Sequence, residues 1–283
     1  MEHIKSALKK AGITDSDALA PEPVAPAPHE FVAPADPISK IGNDDSAEKT
    51  QAKPLRQVEV DSKDLERKRI VSKSMDDPTH IAFNLLRTRV RQAMSENKWK
   101  SLAITSPTPG CGKTMVTLNL AFSLSRNPGL KTVVVDLDLR RPSIAPTLNI
   151  EPDRSIAQYL LGRAEEARDC FVQVDPNLVL GLNSGHTPAS SELLQAPRML
   201  DLFRFIDKEL APEVVLFDLP PMKSSDDALG FLPRVDTSLL VVASGTTTTE
   251  EVDECELQIS ELDKLLGIVL NKCEDTQTED YYY

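Results

Sequence analysis

One short stretch of this sequence places glycines, a lysine and a threonine in an order that suits phosphate binding. It reads Ser-Pro-Thr-Pro-Gly-Cys-Gly-Lys-Thr over residues 106–114, after an apolar run and before a segment with helical apolar spacing. Gly110 and Gly112 allow the backbone to curl so that several N–H groups converge, and the following helix directs its positive end there. Lys113 can then bind the β- and γ-phosphates of a nucleotide, and the Thr114 hydroxyl can bind Mg²⁺.

The stretch departs from the Gly-x4-Gly-Lys-Ser/Thr pattern because Pro107 replaces the first glycine. An ordinary strand-to-helix turn with a surface lysine is the alternative interpretation, and the strand, loop and helix order disfavours it. We therefore predict a site for a nucleoside triphosphate. Asn271, at the end of the last predicted strand, is a candidate for base recognition, with a structural turn as the alternative. The predicted nucleotide contacts are Pro109, Gly110, Cys111, Gly112, Lys113, Thr114, Met115 and Asn271.

Two other apolar runs end in aspartates. Residues 131–135 lead to Asp136 and Asp138, and residues 214–217 lead to Asp218. Open α/β sheets bind ligands at the carboxyl ends of their strands, so these side chains should lie opposite the phosphate loop. There they could hold Mg²⁺ and accept a proton from an incoming hydroxyl, although a turn-forming aspartate pair is the alternative for the first run. The predicted metal ligands are Thr114, Asp136 and Asp218, and the predicted catalytic residues are Lys113, Asp136 and Asp138.

Strand-like apolar runs alternate with helical patterns along the chain. This order predicts an α/β, P-loop NTPase-like fold with a mostly parallel sheet and helices on both faces. A single helix is expected from residue 190 to about residue 210, and His186 in the loop before it is expected to be exposed. Two other helices are expected to bury Ile81, Leu85 and Met94, and Val252, Leu257 and Leu262, respectively.

Residues 1–70 differ in composition from the rest of the chain. A short amphipathic piece covers residues 4–11, and a Pro/Ala-rich stretch and a charged run follow it. Too few apolar side chains are present to offset the entropy lost on ordering, so we predict a flexible extension. Its first residues could form a docking helix, or the whole extension could lack a partner. The predicted divisions are therefore residues 1–70, a nucleotide-binding domain at 71–273, and a tail at 274–283.

Charge and cysteine content narrow the classes of function. The net charge is −12, which argues against non-specific nucleic-acid binding. The four cysteines have no metal-like spacing and are typical of reduced thiols in the cytosol. No apolar run approaches the ~18 residues of a membrane span. We expect a soluble cytoplasmic protein that does not insert into a membrane and reaches one only through a partner.

Three of the four tyrosines are the consecutive residues Tyr281, Tyr282 and Tyr283. They follow an acidic run at residues 274–280, and three adjacent residues at a chain end cannot share one buried face. A chance cluster is the alternative, but phosphate acceptors on an extended tail fit the pattern better. Counted from Lys272, the tail spans eleven residues, so at ~3.3–3.6 Å per residue it could reach roughly 35–40 Å, which is enough to enter a neighbouring subunit's active site.

Taken together, these segments resemble the bacterial tyrosine kinases of capsule and exopolysaccharide export. Residues 106–114 are similar to their Walker A motif, residues 133–142 to their second Walker motif, and residues 215–221 to their Walker B motif. The terminal tyrosines resemble their autophosphorylation cluster. The resemblance covers about residues 75–283.

That resemblance implies an ATP-dependent autokinase with Mg²⁺ that modifies its own tail and regulates polysaccharide synthesis and export. It implies Lys113 on the phosphates, Thr114, Asp136 and Asp218 around the metal, and Asp136 or Asp138 deprotonating the acceptor tyrosine. It also implies a membrane-embedded activator, the polysaccharide co-polymerase, which would recruit the chain to the inner face of the plasma membrane.

The sequence departs from this family in the helix before the first predicted strand. The family uses a Glu-x2-Arg-x2-Arg motif there to assemble a ring, whereas this chain has Ile81, Asn84 and Arg87. We still expect a homo-oligomer, of a size that the motif does not fix.

Two other functions remain open from the sequence. Partitioning and septum-positioning ATPases share the fold, but they carry an extra lysine early in the phosphate loop, where this chain has Thr108 and Pro109. An ATP-binding adaptor that has lost kinase activity is the other alternative.

Overall fold

The computed structural model describes residues 54–70 and 80–273. One eight-stranded sheet organises this part of the chain, in the order β1-β4-β5-β3-β6-β2-β7-β8. Every neighbouring pair is parallel except β4 and β5, which are antiparallel. The strands are β1 (Arg56–Gln57), β2 (Ser101–Thr105), β3 (Thr132–Asp136), β4 (Phe171–Asp175), β5 (Leu178–Gly181), β6 (Val214–Asp218), β7 (Thr237–Ala243) and β8 (Leu265–Asn271).

Helices cover the sheet on both faces, as the alternating pattern predicts. Two separate clusters of buried apolar side chains lie on the two sides of the sheet, and successive residues of β3 alternate between them: Val133 and Val135 join one cluster, and Val134 joins the other. The helices are α1 (Ser62–Arg67), α2 (His80–Asn97), α3 (Lys113–Ser125), α4 (Ile144–Leu148), α5 (Ile156–Leu160), α6 (Ser190–Gln195), α7 (Arg198–Phe205), α8 (Asp227–Phe231) and α9 (Thr249–Ser260). The predicted α/β fold with a mostly parallel sheet is confirmed.

The central strands β2, β3, β6 and β7 are buried along their whole length. Parallel strands covered on both faces read as continuous apolar and β-branched runs, which is why the sequence reveals them. Their common direction brings all four carboxyl ends to one edge of the sheet, where the functional residues lie. Within the described residues, no helix is both long enough and apolar enough to cross a membrane.

Residues 54–70 belong to the folded domain, so the predicted flexible extension was too long. Strand β1 pairs with β4, and Leu65 and Ile70 are 2% and 0% exposed in the cluster that also holds α3. Asp61 caps α1 by accepting a hydrogen bond from the Lys63 N–H at 2.9 Å. A two-residue strand and a six-residue helix carry too little periodicity to be recognised in a sequence. The predicted amphipathic piece at residues 4–11 lies outside the described residues.

Helix α2 buries Met94, as predicted, but the other two residues of the predicted apolar face are exposed. Val90 and Met94 are 2% and 3% exposed, but Ile81 and Leu85 are 61% and 53% exposed. The predicted start of this helix, before residue 80, lies outside the described residues. Phe83 and Leu86 pack against the same cluster as the two buried residues, so the buried face is rotated away from Ile81 and Leu85.

Arg87 of the incomplete ring motif makes its contact within the chain. Its guanidinium donates to the carbonyl oxygen of Ser123 on α3 at 3.1 Å. The Ser123 hydroxyl in turn donates to the side-chain oxygen of Asn84 at 3.1 Å. Two of the three motif positions therefore attach α2 to the phosphate-loop helix.

Helix α9 also buries a different set of side chains. Cys255 and Ile259 are fully buried and Val252 packs against the same cluster, whereas Leu257 is 59% exposed. Leu262 lies beyond the end of the helix and is 36% exposed. The prediction was therefore right for Val252 and wrong for Leu257 and Leu262, because the buried face follows helical spacing from Val252 through Cys255 to Ile259.

The single helix predicted over residues 190–210 is interrupted. Helix α6 ends at Gln195 and α7 begins at Arg198, because Ala196 adopts an extended conformation in front of Pro197. A residue that precedes proline is biased away from the helical region, which explains the break. Residues 206–210 then continue α7 as a wider π turn.

We expect Leu65→Ala to lower the free energy of unfolding by about 2–5 kcal/mol, because it removes a fully buried leucine side chain. Urea denaturation of the full chain measures this change. The matched control is Leu257→Ala, which changes an exposed leucine on α9 and should alter stability by less than about 0.5 kcal/mol. Equal effects of the two substitutions would contradict the packing of residues 54–70 against the domain.

Candidate active site

The phosphate loop connects β2 to α3 at the carboxyl edge of the sheet. Gly110 and Gly112 both have positive φ, +85° and +90°, which side chains with a Cβ rarely adopt. A Cβ on Gly112 would also lie 2.3 Å from the side-chain nitrogen of Asn271. Gly112 is therefore required both by the backbone turn and by the close approach of the last strand.

Lys113 is the buried cation at the centre of the site. Its Nζ lies 3.0 Å from Oδ2 of Asp138 and 3.6 Å from Oδ1 of Asp218. The side chains of Lys113, Asp138 and Asp218 are 10%, 5% and 0% exposed, so solvent screens these contacts only weakly. The first residue of α3 is thus bound to two of the three carboxylates that were predicted to lie opposite the loop.

Asp136 and Asp218 come together because β3 and β6 are neighbours in register. The two aspartates are paired positions at the ends of these strands. The Asp136 carboxylate accepts hydrogen bonds from the backbone N–H groups of Ser143 and Ile144, at 3.1 and 3.0 Å. The Thr114 hydroxyl donates to Oδ2 of Asp218 at 2.6 Å. The sheet therefore assembles oxygen donors from three separate segments.

This donor set suits a magnesium ion that arrives with a nucleotide. Mg²⁺ takes oxygen ligands and usually retains phosphate and water oxygens among them, so Thr114, Asp136 and Asp218 fit it. Across residues 54–70 and 80–273, no group of three or more aspartate, glutamate, histidine or cysteine side chains is arranged to hold a metal. Phosphate oxygens would therefore have to complete the coordination.

Burial perturbs the titration of the central charges. It raises the pKa of Asp136 to about 8, with a further contribution from the neighbouring Asp218 carboxylate. Burial also raises the pKa of Asp218, against the opposing effects of Lys113 and the Thr114 hydroxyl. Burial alone would lower the pKa of Lys113, but the carboxylates of Asp218 and Asp138 outweigh it and raise that pKa. Lys113 consequently stays charged, and its ammonium group interacts with both nearby carboxylates.

Asn271 links the end of β8 to the phosphate loop. Its side-chain N–H donates to the carbonyl oxygen of Cys111 at 2.8 Å. The buried Cys111 thiol lies 3.2 Å from the carbonyl oxygen of Thr108 and 3.5 Å from the hydroxyl of Thr247. Burial would raise the pKa of this thiol, but the hydrogen bonds from Thr247 and Thr108 lower it overall. These contacts hold the loop between the ends of β7 and β8.

A second set of contacts fixes the loop that follows β3, and the sequence analysis missed it. The Arg140 guanidinium donates to Oδ2 of Asp227 at 3.1 Å, and the Ser190 hydroxyl donates to the same oxygen at 2.6 Å. His186 is exposed, as expected, and its Nδ1 lies 2.9 Å from the Arg140 carbonyl oxygen. Burial alone would raise the pKa of Asp227, but the hydrogen bonds from Ser190 and the other donors lower it. The only feature of the sequence that could have indicated this contact is the arginine two positions after the aspartate pair.

The structure brings most of the predicted site residues together. The lysine, the threonine and the three aspartates converge at one edge, and Asn271 reaches that edge through Cys111. Pro109 is exposed on the loop, and the Met115 sulfur accepts a hydrogen bond from Asn119 at 3.1 Å. The predicted phosphate acceptors Tyr281–Tyr283 lie outside the described residues. The roles assigned to all these residues stay predictions.

The raised pKa of Asp136 gives a pH dependence with a definite sign. Between the ordinary aspartate pKa of 3.8 and about 8, the folded state retains a proton that the unfolded chain has released. Stability without nucleotide or Mg²⁺ should therefore fall as pH rises through this window. Asp136→Asn removes the titrating group, so its stability should fall less between pH 5 and pH 8.

Urea unfolding at several pH values, in a chelating buffer, measures this difference. Asp253→Asn, an exposed position on α9, is the matched control and should keep the wild-type slope. Parallel pH profiles for wild type and Asp136→Asn would contradict a proton on the buried carboxylate.

Known proteins are similar to this chain in both sequence and fold. The family model described as the CobQ/CobB/MinD/ParA nucleotide binding domain matches residues 102–282. The tyrosine-protein kinase CpsD of Streptococcus pneumoniae serotype 4 is 29% identical over 193 residues, which cover 67% of this chain and 82% of that protein. The tyrosine-protein kinase YwqD of Bacillus subtilis is 29% identical over 203 residues, 71% of this chain and 84% of that protein.

A solved structure agrees with these matches. The kinase domain of the Escherichia coli tyrosine kinase ETK superimposes with a TM-score of 0.67 at 27% identity, over 76% of this chain and 84% of that domain. The chain therefore belongs to the CobQ/CobB/MinD/ParA nucleotide-binding domain family, and within that family it resembles bacterial tyrosine-protein kinases.

Proposed function

We propose that this chain is an ATP-dependent protein-tyrosine kinase that phosphorylates the tyrosines of its own C-terminal end. The observation that carries the proposal is the contact of Lys113 with Asp138 and Asp218, at 3.0 and 3.6 Å. This contact supports the proposal because a lysine beside a carboxylate suits both phosphate binding and the removal of a proton from a hydroxyl. The likeness to CpsD, YwqD and the ETK kinase domain supports protein tyrosine as the acceptor.

Each residue has a separate task in this reaction. Lys113 and the loop N–H groups bind the phosphates of ATP, which is mainly positioning and charge neutralisation. Thr114, Asp136 and Asp218 would hold Mg²⁺, which when bound neutralises charge on the transferred phosphoryl group.

Asp138 is the proton acceptor in this scheme. It keeps a small exposed fraction of 4%, whereas Asp136 is fully buried and accepts two backbone N–H groups. As the tyrosine oxygen bonds to the γ-phosphorus, the bond to the ADP oxygen breaks and the tyrosine proton passes to Asp138. The products are phosphotyrosine and ADP.

Phosphorylation of the tail would also regulate assembly. Each phosphate adds about −1.5 to −2 charges to a segment that already holds four acidic residues, Glu274, Asp275, Glu279 and Asp280. Repulsion should weaken the docking of the tail and the association of subunits in a homo-oligomer.

We further propose that a membrane-embedded polysaccharide co-polymerase recruits the chain to the cytoplasmic face of the membrane and activates it. The output of this cycle would be control of capsule or exopolysaccharide synthesis.

Incubation of the full chain with γ-labelled ATP and Mg²⁺, followed by phosphotyrosine mapping, tests the proposal. Wild type should label its terminal tyrosines, and Lys113→Met should reduce labelling at least 100-fold because the phosphates lose their buried cation. Asp138→Asn should bind ATP but label at least tenfold more slowly. Lys98→Met, at the opposite end of the sheet, is the matched lysine control and should label like wild type.

Two outcomes would favour the other functions that the sequence left open. ATP hydrolysis without phosphotyrosine, with and without the tail tyrosines, would favour an ATPase of the partitioning type. ATP binding with neither hydrolysis nor phosphotyrosine, even after co-expression with the membrane partner, would favour an adaptor.

Asn271 offers a separate test of base recognition. One of its side-chain N–H groups donates to the carbonyl oxygen of Cys111, and its side-chain oxygen can accept a hydrogen bond from the amino group of adenine. We expect Asn271→Ala to weaken ATP binding by about fivefold, since one hydrogen bond contributes roughly 1 kcal/mol, and to weaken GTP binding less. Calorimetric titration of the wild type and the variant with ATP and with GTP measures the two changes in affinity. An equal loss for ATP and GTP would leave Asn271 as an anchor of the loop only.

A further inference from the structure

Arg141 lies beside the proposed proton acceptor but has no task in the chemistry described so far. Its backbone N–H donates to Oδ1 of Asp138 at 2.9 Å, so its position is fixed relative to that carboxylate. Its side chain is exposed, and its guanidinium has no hydrogen bond or ion pair with any residue in 54–70 or 80–273. A cation is therefore available to a ligand at the point where the phosphoryl group is transferred.

Two neighbouring cations in the loops that follow β3 and β6 are already paired. Arg140 contacts Asp227 at 3.1 Å, and Lys223, in the loop after β6, contacts Glu254 at 2.6 Å. Of the basic side chains in the described loops that follow β3 and β6, Arg141 alone lacks an acidic partner. Its charge is thus free to act on an approaching molecule.

The proposed acceptor segment carries the opposite charge. Glu279 and Asp280 directly precede Tyr281, and residues 274–283 contain no basic side chain. The rest of the chain is acidic as well, because the net charge of −12 exceeds what the four acidic tail residues contribute. An acidic acceptor would be repelled by such a protein unless a local cation offset the repulsion at the site of transfer.

Chain geometry places these groups within reach of each other. The acceptor hydroxyl must come within hydrogen-bond distance of Asp138, and the residues before it follow at ~3.3–3.6 Å each. A carboxylate one or two positions before the tyrosine could then come within reach of the Arg141 side chain, since the Arg141 backbone is bonded to Asp138. A guanidinium can bind such a carboxylate through two parallel hydrogen bonds.

We propose that Arg141 forms an acceptor subsite that binds a carboxylate just before the acceptor tyrosine and so selects acidic tyrosine segments. This inference rests on the proposed kinase function, because it names the substrate class of the same site. The residue acts on acceptor recognition and leaves nucleotide binding unchanged.

A charge-exchange experiment tests the subsite. The enzyme is the full chain with phenylalanine at positions 281–283, so that it cannot modify itself. The substrates are two synthetic peptides, one with the sequence of residues 272–283 and one with lysine at the positions of Glu279 and Asp280. The measurements are kcat/KM for each peptide with labelled ATP, at low and high salt, and a direct titration of ATP binding.

Arg141→Glu should lower kcat/KM for the acidic peptide at least tenfold, raise it for the lysine peptide, and leave the ATP affinity unchanged. Higher salt should reduce both effects, because the contact is exposed. Lys98→Glu, which makes the same charge change at the opposite end of the sheet, should leave the preference between the peptides unaltered.

Other results would overturn the subsite in distinguishable ways. A parallel loss of ATP affinity in Arg141→Glu would assign the guanidinium to the nucleotide. An unchanged preference between the peptides would remove Arg141 from acceptor selection while the kinase function stood. If the wild-type chain labelled neither peptide nor its own tyrosines, the proposed function itself would fail, and the subsite with it.

Discussion

A buried lysine held between two carboxylates is the interaction on which the rest of this structure depends. Lys113 lies 3.0 Å from Asp138 and 3.6 Å from Asp218, and all three side chains are nearly inaccessible to solvent. A buried charge is tolerated only when it is paired and hydrogen-bonded, so each of these groups requires the others. Removing one partner leaves an uncompensated charge inside the protein. The fold therefore has to bring three distant segments to one point.

The parallel sheet meets that requirement through register and direction. Because β3 and β6 are adjacent and in register, Asp136 and Asp218 end side by side, and β2 on the other side of β6 delivers the phosphate loop. Loop-to-loop contacts then fix the edge: Asn271 binds the phosphate loop, and Arg140 binds Asp227. Families that share this sheet perform different reactions, since function resides in the side chains grafted onto its carboxyl edge. Here that edge combines a phosphate loop with a carboxylate beside an unpaired arginine.

Residues 54–70 show how packing extends the domain beyond what composition indicates. The segment is short and polar on average, but Leu65 and Ile70 are almost completely buried. The exposed Ile81 and Leu85 show the reverse, because their helix packs through another face, which includes Val90 and Met94. Average composition and helical periodicity are properties of the sequence alone. The burial of a side chain also depends on which other elements pack against its part of the helix.

The sequence by itself determined the strands that end in aspartate, the phosphate loop and the α/β class. Those features are local: continuous apolar runs make buried parallel strands, and Gly110 and Gly112 are needed wherever the backbone turns with positive φ. Only the tertiary structure decided that Lys113 binds both Asp138 and Asp218, that Asn271 binds Cys111, and that Arg140 is paired while Arg141 is not. These contacts join residues from 25 to 160 positions apart. Strand order and register set them, and no local pattern in the chain encodes either one.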